Sequence, residues 1–151
     1  SVLGVAIGAV AGLVAITPAA GFVNVPASLI IGLLAGIVCY FAVDIIKKRF
    51  GVDDALDVVG VHGVGGTLGA LATGLFAQKA INSAGADGLF YGNPGQFVTQ
   101  FIAVAVVWVY AMAVSWVILK VIDIVVGLRV PEEEEVLGLD TTQHGEVAYT
   151  V

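Results

Sequence analysis

Charged residues are scarce in this sequence. Six basic and twelve acidic side chains make up 12% of its 151 residues, whereas about a quarter is usual in globular domains. Hydrophobic residues reach 59%, and the mean hydropathy is +1.03. This composition excludes an ordinary soluble domain and indicates an integral membrane chain, with the lipid bilayer as its first partner.

Cysteine and basic residues are also few, and each scarcity excludes a class of protein. Cys39 is the one cysteine, so an intrachain disulfide is impossible. The formal net charge of −6 comes largely from the four successive glutamates of "PEEEE". It gives no reason to expect a nucleic-acid partner.

Long apolar runs predict an all-α, polytopic transmembrane helix bundle. A helix needs about 20 residues to cross a hydrocarbon core of about 30 Å. We place four such runs at residues 1–16, 28–46, 55–77 and 97–126. Residues 127–151 are too polar to span and are predicted to form a tail. Because the first run lacks the basic start of a leader peptide and residue 1 is not methionine, we expect the chain to begin inside a larger protein.

The distribution of basic residues predicts the orientation of the spans. The loop after the second run carries Lys47, Lys48 and Arg49, and the end of the fourth run carries Lys120 and Arg129. The opposite loops offer a single lysine. By the positive-inside rule, the basic loop and the C-terminal tail face the cytoplasm.

One histidine lies inside the third run, in "DVVGVHGVGGTLGALATGLFA". Gly66 and Gly69 follow His62 on the same predicted helix face, and Gly65 forms a small-xxx-small pair with Gly69. Missing side chains beside an imidazole indicate either a close helix contact or a cavity. Glycine alone does not distinguish the two.

Two interpretations of His62 remain. In the structural one, it hydrogen-bonds across a helix interface. In the functional one, it lines a pathway or relays protons, which is favoured because ionisable groups at this depth are costly and imidazole both accepts and donates a proton near neutral pH. A metal site lacks further ligands at suitable spacing, and a hydrolase site lacks a Ser or Cys nucleophile in the run.

Two of the aspartates that precede the histidine, Asp54 and Asp57, are candidate site residues. Asp54 is predicted to cap the third helix and Asp57 to lie in its first turn, where carboxylates accept from unpaired N–H groups and meet the positive end of the helix dipole. The functional alternative is an acidic lining that attracts cations near a pore mouth.

Three segments together resemble the ammonium transporter family (Amt, Mep and Rh). They are "AGLVAITPAAGFV", the histidine run quoted above and "GLRVPEEEEVLGLDTTQHGEVAY", in the family's order. The resemblance covers nearly the whole chain and corresponds to the last four of eleven transmembrane helices plus the cytoplasmic C-terminal region. It implies a homotrimer in which ammonium or ammonia crosses the membrane through a narrow hydrophobic pore in each subunit.

The resemblance also assigns roles to residues. His62 matches the second of two hydrogen-bonded histidines at the centre of the pore, and Val58 matches a position that lines its cytoplasmic half. Asp57 resembles an acidic residue of the family that we interpret as structural. Ile7 departs from the pattern, because many members carry a serine there. No cofactor and no enzymatic reaction are implied.

The tail resembles the family's regulatory region, which packs beneath the neighbouring subunit. On this basis Asp140, Gly145 and Tyr149 are expected to hold the tail against the membrane domain. Thr142 aligns with a threonine that is phosphorylated in plant relatives, where added charge can loosen the tail. In prokaryotic members PII-type signal proteins bind the cytoplasmic face and block conduction, and such a protein is an expected partner. The expected location is the cell membrane, as a multi-pass protein of a prokaryotic inner membrane.

Three functions compete. Ammonium transport, with His62 at the centre of the pore, is the leading hypothesis. The alternative is an ammonium sensor that uses the same fold with little flux. A third is a purely structural membrane subunit, in which replacing His62 changes stability and leaves ammonium handling intact.

Overall fold

The computed structural model describes residues 2–147, and within that range every regular element is helical. The α-helices are α1 (Val2–Ile16), α2 (Val25–Phe50), α3 (Val64–Phe76), α4 (Pro94–Val125), α5 (Glu132–Leu137) and α6 (Leu139–Thr142). A π-helical turn, Val59–Gly63, leads directly into α3. The chain divides into two compact units after Val107.

Four helical stretches are long and apolar enough to cross a membrane. They are Val2–Ala19, Val25–Phe50, Val59–Phe76 and Pro94–Val125. These stretches confirm the predicted class, an all-α polytopic transmembrane bundle.

The second helix extends beyond the predicted run, residues 28–46, at both ends. At its start the side chain of Asn24 accepts a hydrogen bond from the N–H of Ala27 at 2.9 Å. At its end Gly51 adopts a left-handed conformation with φ of 61°, and three basic residues occupy the last turn. A hydropathy pattern misses such ends because capping residues and a charged last turn are polar.

The third helical stretch begins later than the predicted residue 55. Asp57 has φ of 57°, the only positive φ at a non-glycine within residues 2–147. This conformation does not belong to a right-handed helix, although aspartate adopts it more readily than most residues do. Helical backbone therefore starts at Val58 and continues through the π turn into α3.

Helices α1, α2 and α3 pack against one another through stripes of buried residues spaced four positions apart. The stripes are Ala11, Ala15 and Ala19; Ala27, Ile31, Ala35 and Cys39; and Val61, Gly65, Gly69 and Thr73. Most of these side chains are small, so the helix backbones approach closely. In a bilayer, such close packing replaces the hydrophobic effect as the force that holds helices together.

The end of α3 that follows Gly74 is tied to two neighbouring loops. The backbone N–H of Gln78 donates to the carbonyl of Phe22 at 2.8 Å, and its side-chain Nε2 donates to Tyr91 Oη at 2.8 Å. The rings of Phe76 and Phe90 lie 5.1 Å apart. These contacts fix α3 at the end away from His62.

Gly69 marks a very close approach of α3 to α1. A Cβ atom at this position would lie 2.0 Å from the carbonyl oxygen of Ala15 and 3.1 Å from its Cα, and neither backbone atom can rotate away. At Gly66, on the next face of the same helix, a Cβ would meet no atom of the described residues within 4 Å.

We therefore predict opposite outcomes for two matched substitutions. Gly69→Ala should lower the free energy of unfolding by about 3 kcal/mol, because an added methyl overpacks a contact that cannot yield. Gly66→Ala should leave it unchanged or raise it by up to about 1 kcal/mol, because alanine favours a helix over glycine. Thermal unfolding in detergent measures both, and equal effects would contradict the close contact at Gly69.

Candidate functional site

His62 lies in the π-helical turn Val59–Gly63, where the N–H of Val64 donates to the carbonyl of Val59. A π turn inserts an extra residue into a helix and frequently occurs at functional sites. The imidazole is on the exposed side of this turn, while the neighbouring Val61 is buried. The turn therefore separates a buried packing residue from an exposed titratable one.

Two mostly apolar grooves meet at His62, and α1 with the turn that follows it forms the opposite wall of both. One groove, of about 160 Å³, is lined by Ala6, Ile7, Val10, Leu56, Val61 and His62. The other, of about 410 Å³, is lined by Leu13, Val14, Thr17, Pro18, His62 and Gly66. The imidazole lies between them, level with the segment of α1 from Val10 to Leu13. A small molecule that moved along this wall would pass the imidazole.

The glycines around His62 divide into two groups. Gly66 lines the larger groove beside the imidazole. Gly65 and Gly69 are buried against α1 and α2, and a Cβ on Gly65 would lie 3.1 Å from the Cys39 sulfur. Gly69, expected on the histidine's face, therefore makes a helix contact, while Gly66 leaves space. Both alternatives for the glycines, a close helix contact and open space beside the imidazole, therefore occur, at different positions.

The histidine lies halfway along the neighbouring helix. Cys39 donates its thiol to the carbonyl of Val61 with a sulfur–oxygen distance of 3.9 Å. Fourteen residues of α2 precede Cys39 and eleven follow it. The imidazole next to Val61 is therefore near the middle of the 26-residue α2, although it is only one turn from the start of its own helix.

Asp54 caps the helical stretch that contains His62. Its Oδ1 accepts from the N–H of Val58 at 2.9 Å, and its Oδ2 accepts from the N–H of Val59 at 2.8 Å. Both oxygens of one carboxylate thus satisfy N–H groups at the start of the helix, which have no partner within the helix itself. Because a turn intervenes, Asp54 precedes Val58, the first of these two donors, by four residues.

Asp57 lies before the first helical turn, and its carboxylate turns toward α2. Its Oδ1 lies 2.6 Å from Nζ of Lys47, and the Asp57 side chain is only 11% exposed. The contact is an ion pair without the alignment of a hydrogen bond. The side chain of Asp57 therefore does not accept from the helix N-terminus as the sequence predicts; it pairs with Lys47, and its backbone is left-handed.

Val58 and Ile7 occupy different places relative to the grooves. Val58 is 47% exposed at the start of the helical stretch, but it is not among the residues that line the two grooves at His62. Ile7 does line the smaller groove. An apolar side chain therefore occupies the position where the resemblance leads us to expect a serine.

The described part of the tail folds on itself. Arg129 donates two hydrogen bonds to Glu135, from Nη2 at 2.9 Å and from Nε at 3.3 Å. The hydroxyl of Thr142 donates to the carbonyl of Gly138 at 3.0 Å, and the N–H of Glu146 donates to the carbonyl of Asp140 at 2.8 Å. These bonds join α5, α6 and the turn after them.

Two further tail positions differ in what the structure describes. Gly145 has φ of 65°, a left-handed conformation that suits glycine and reverses the chain after α6. Tyr149 lies outside the described residues. Within residues 2–147 no group of three or more histidine, cysteine or acidic side chains is arranged to bind a metal ion.

Three features of the site have no recognised sequence signal. They are the π turn at His62, the ion pair between Lys47 and Asp57, and the thiol contact of Cys39 with Val61. Each depends on which residues of different helices come together. The aspartates could be recognised as a pair near a helix start, but the sequence did not show that they serve different helices.

Comparison with known proteins identifies the family. A sequence model of the Ammonium Transporter Family matches residues 1–149. The chain belongs to the ammonium transporter family. It is 56% identical over 149 residues to the ammonium transporter of Bacillus subtilis, covering 99% of this chain and 37% of that protein.

Solved structures of the family share the fold. The crystal structure of Candida albicans Mep2 matches with a TM-score of 0.80 and 38% identity over 89% of this chain and 30% of that one. A structure described as a sensor Amt protein matches with a TM-score of 0.79 and 31% identity over 93% of this chain and 34% of that one. The chain is part of a multi-pass membrane protein family and spans little more than a third of the length of its curated relatives.

Proposed function

We propose that the protein carries ammonium or ammonia across the membrane, along the two grooves that meet at His62. The observation that carries this proposal is the position of the imidazole. It is exposed between two mostly apolar grooves, along the wall formed by α1, and level with the middle of α2.

The chemistry of the grooves favours a neutral molecule as the species that moves through them. An unpaired cation loses a large hydration energy in apolar surroundings, whereas ammonia loses much less. The imidazole of His62 offers a ring nitrogen that accepts or donates a hydrogen bond to ammonia, and it can carry the separated proton. Thr17, whose hydroxyl donates to the carbonyl of Leu13 at 2.7 Å, adds a polar oxygen to the larger groove.

The relatives support the same function and indicate what completes the pore. Their names describe ammonium transporters, and this chain spans 37% of the Bacillus subtilis protein. We propose that residues outside these 151 supply the rest of the pore wall, including the histidine that pairs with His62. We also propose a homotrimer in the cell membrane, with the basic loop and the tail in the cytoplasm, since Lys47, Lys48 and Arg49 cluster at one end of α2.

The first test is the ammonium-evoked current of the full-length protein in liposomes. We predict that His62→Ala lowers this current by about tenfold or more, since losing about 1.4 kcal/mol of stabilisation at one point of the path already gives that factor. The matched control is His144→Ala. It removes the other histidine of the chain, which lies in the tail, and should leave the current unchanged.

Loss of selectivity for ammonium in His62→Ala would equally support a place in the path. Unchanged current and selectivity, with lowered thermal stability, would instead assign His62 to helix packing and contradict the proposal.

A sensor is the second candidate, because one solved relative is described as a sensor Amt protein. A sensor binds ammonium but moves little of it across the membrane, whereas a transporter moves it continuously. Ammonium binding without current in the full-length protein would favour the sensor, whereas a sustained current that scales with the ammonium gradient would favour the transporter.

We further propose that the tail regulates the pore and that a PII-type signal protein binds the same cytoplasmic face. Asp140, Thr142 and Gly145 belong to the self-bonded arrangement of the tail, and Tyr149 follows it in sequence. A phosphate on Thr142 would remove the donor to Gly138 and bring negative charge near Glu134, whose carbonyl the same hydroxyl contacts at 3.4 Å.

Two substitutions at one position test the tail. Thr142→Asp should lower the ammonium current severalfold, because the hydroxyl donor is lost and a like charge is placed near Glu134. Thr142→Ser keeps the hydroxyl and should retain the current. Normal current and normal thermal stability in Thr142→Asp, and after deletion of residues 138–151, would contradict a regulatory tail.

A further inference from the structure

We propose that Lys47 is a positioning residue for His62 and acts through Asp57. The sequence assigns this lysine only to the basic loop that orients the chain in the membrane. The structure connects it to the turn that holds the histidine. The proposal rests on the proposed function, because it concerns the geometry of the same site.

The connection begins at the backbone of Asp57. This residue has the left-handed φ of 57°, and its carbonyl accepts the N–H of Val61 at 2.8 Å. Its own N–H donates to the carbonyl of Asp54 at 3.2 Å. Asp57 therefore sets the direction in which the chain enters the π turn, which begins two residues later at Val59 and contains His62.

The side chain of Asp57 holds that backbone against a second helix. Its carboxylate lies 2.6 Å from Nζ of Lys47 in the last turn of α2, and it is 11% exposed. A carboxylate with so little exposure loses part of its hydration, and a nearby cation offsets that loss. The ammonium of Lys47 thus keeps Asp57 in an otherwise unfavourable conformation.

The packing around the π turn explains why the ion pair between Lys47 and Asp57 matters for His62. Gly60 lies against Val43 of α2, since a Cβ on Gly60 would come within 2.5 Å of a Val43 methyl and 3.1 Å of its backbone. The π turn is thus seated on α2 at Val43, one helical turn before Lys47. If the ion pair is lost, the chain entering the turn is released while the rest of α3 remains packed.

Lys48 provides a matched control. It is adjacent to Lys47 and contributes the same charge to the same loop, but its Nζ pairs with Asp44 within α2 at 2.5 Å, and its side chain is 77% exposed. If the basic residues act only by orienting the chain, removal of either lysine should have the same effect.

The first experiment measures amide hydrogen exchange at residues 58–63 of the full-length protein. Lys47→Met should raise the exchange rate there by about tenfold, equivalent to about 1.4 kcal/mol, and leave the rest of α3 unchanged. Lys48→Met should change it by less than about twofold. Lys47→Arg should restore protection because it keeps the cation.

A double substitution guards against a misfolded single variant. Lys47→Met leaves Asp57 buried without its cation, whereas adding Asp57→Asn removes that charge and keeps a residue that adopts left-handed backbone. If the pair acts as a unit, the double variant exchanges no faster at residues 58–63 than either single one. Additive increases in the logarithm of the rate would overturn the proposal.

The second experiment measures ammonium-evoked current per folded protein for the same variants. Lys47→Met should lower it severalfold and Lys48→Met should leave it unchanged. Equal exchange and equal current in the two variants would overturn the proposal. If the unmodified protein gives no current, transport fails as the function, and the exchange rates alone then decide whether Lys47 positions the turn.

Discussion

The contact between the backbones of α3 at Gly69 and α1 at Ala15 is the constraint on which the site depends. With so little space between the helices, only glycine fits at position 69. This contact fixes which side of α3 is buried, and the stripe from Val61 to Thr73 continues on that side. His62 and Gly66 are consequently left on the side that lines the two grooves.

The start of the same helical stretch is held by charges in addition to the close packing of Gly60 on Val43 of α2. Asp54 satisfies two N–H groups at the helix start, and Asp57 joins the turn before it to Lys47 of α2. Packing of small residues suits the apolar interior of a bilayer, whereas ion pairs and caps suit the region near water. His62 lies between these two modes of attachment, in a π turn whose geometry depends on both.

Much of the fold could be predicted from the sequence, because apolar runs of sufficient length have one solution in a bilayer. The class, the four spans and the family followed from composition and from three segments. The ends of α2 and the start of the third helical stretch could not be predicted from the sequence, since they depend on Asn24, Gly51 and the backbone of Asp57. Which glycines pack against a helix and which leave open space could be seen only with the neighbouring helices in place, because Gly65, Gly66 and Gly69 are chemically identical.

The most direct test of the central claim places a thiol in the larger groove. Gly66 has room for a side chain, and native Cys39 is only 2% exposed, so the unmodified protein is the control. The measurement is the ammonium-evoked current of full-length Gly66→Cys before and after a small mercury reagent. The account predicts that the reagent abolishes the current of the variant and spares the control. Complete modification of the introduced thiol with an unchanged current would contradict a path past His62.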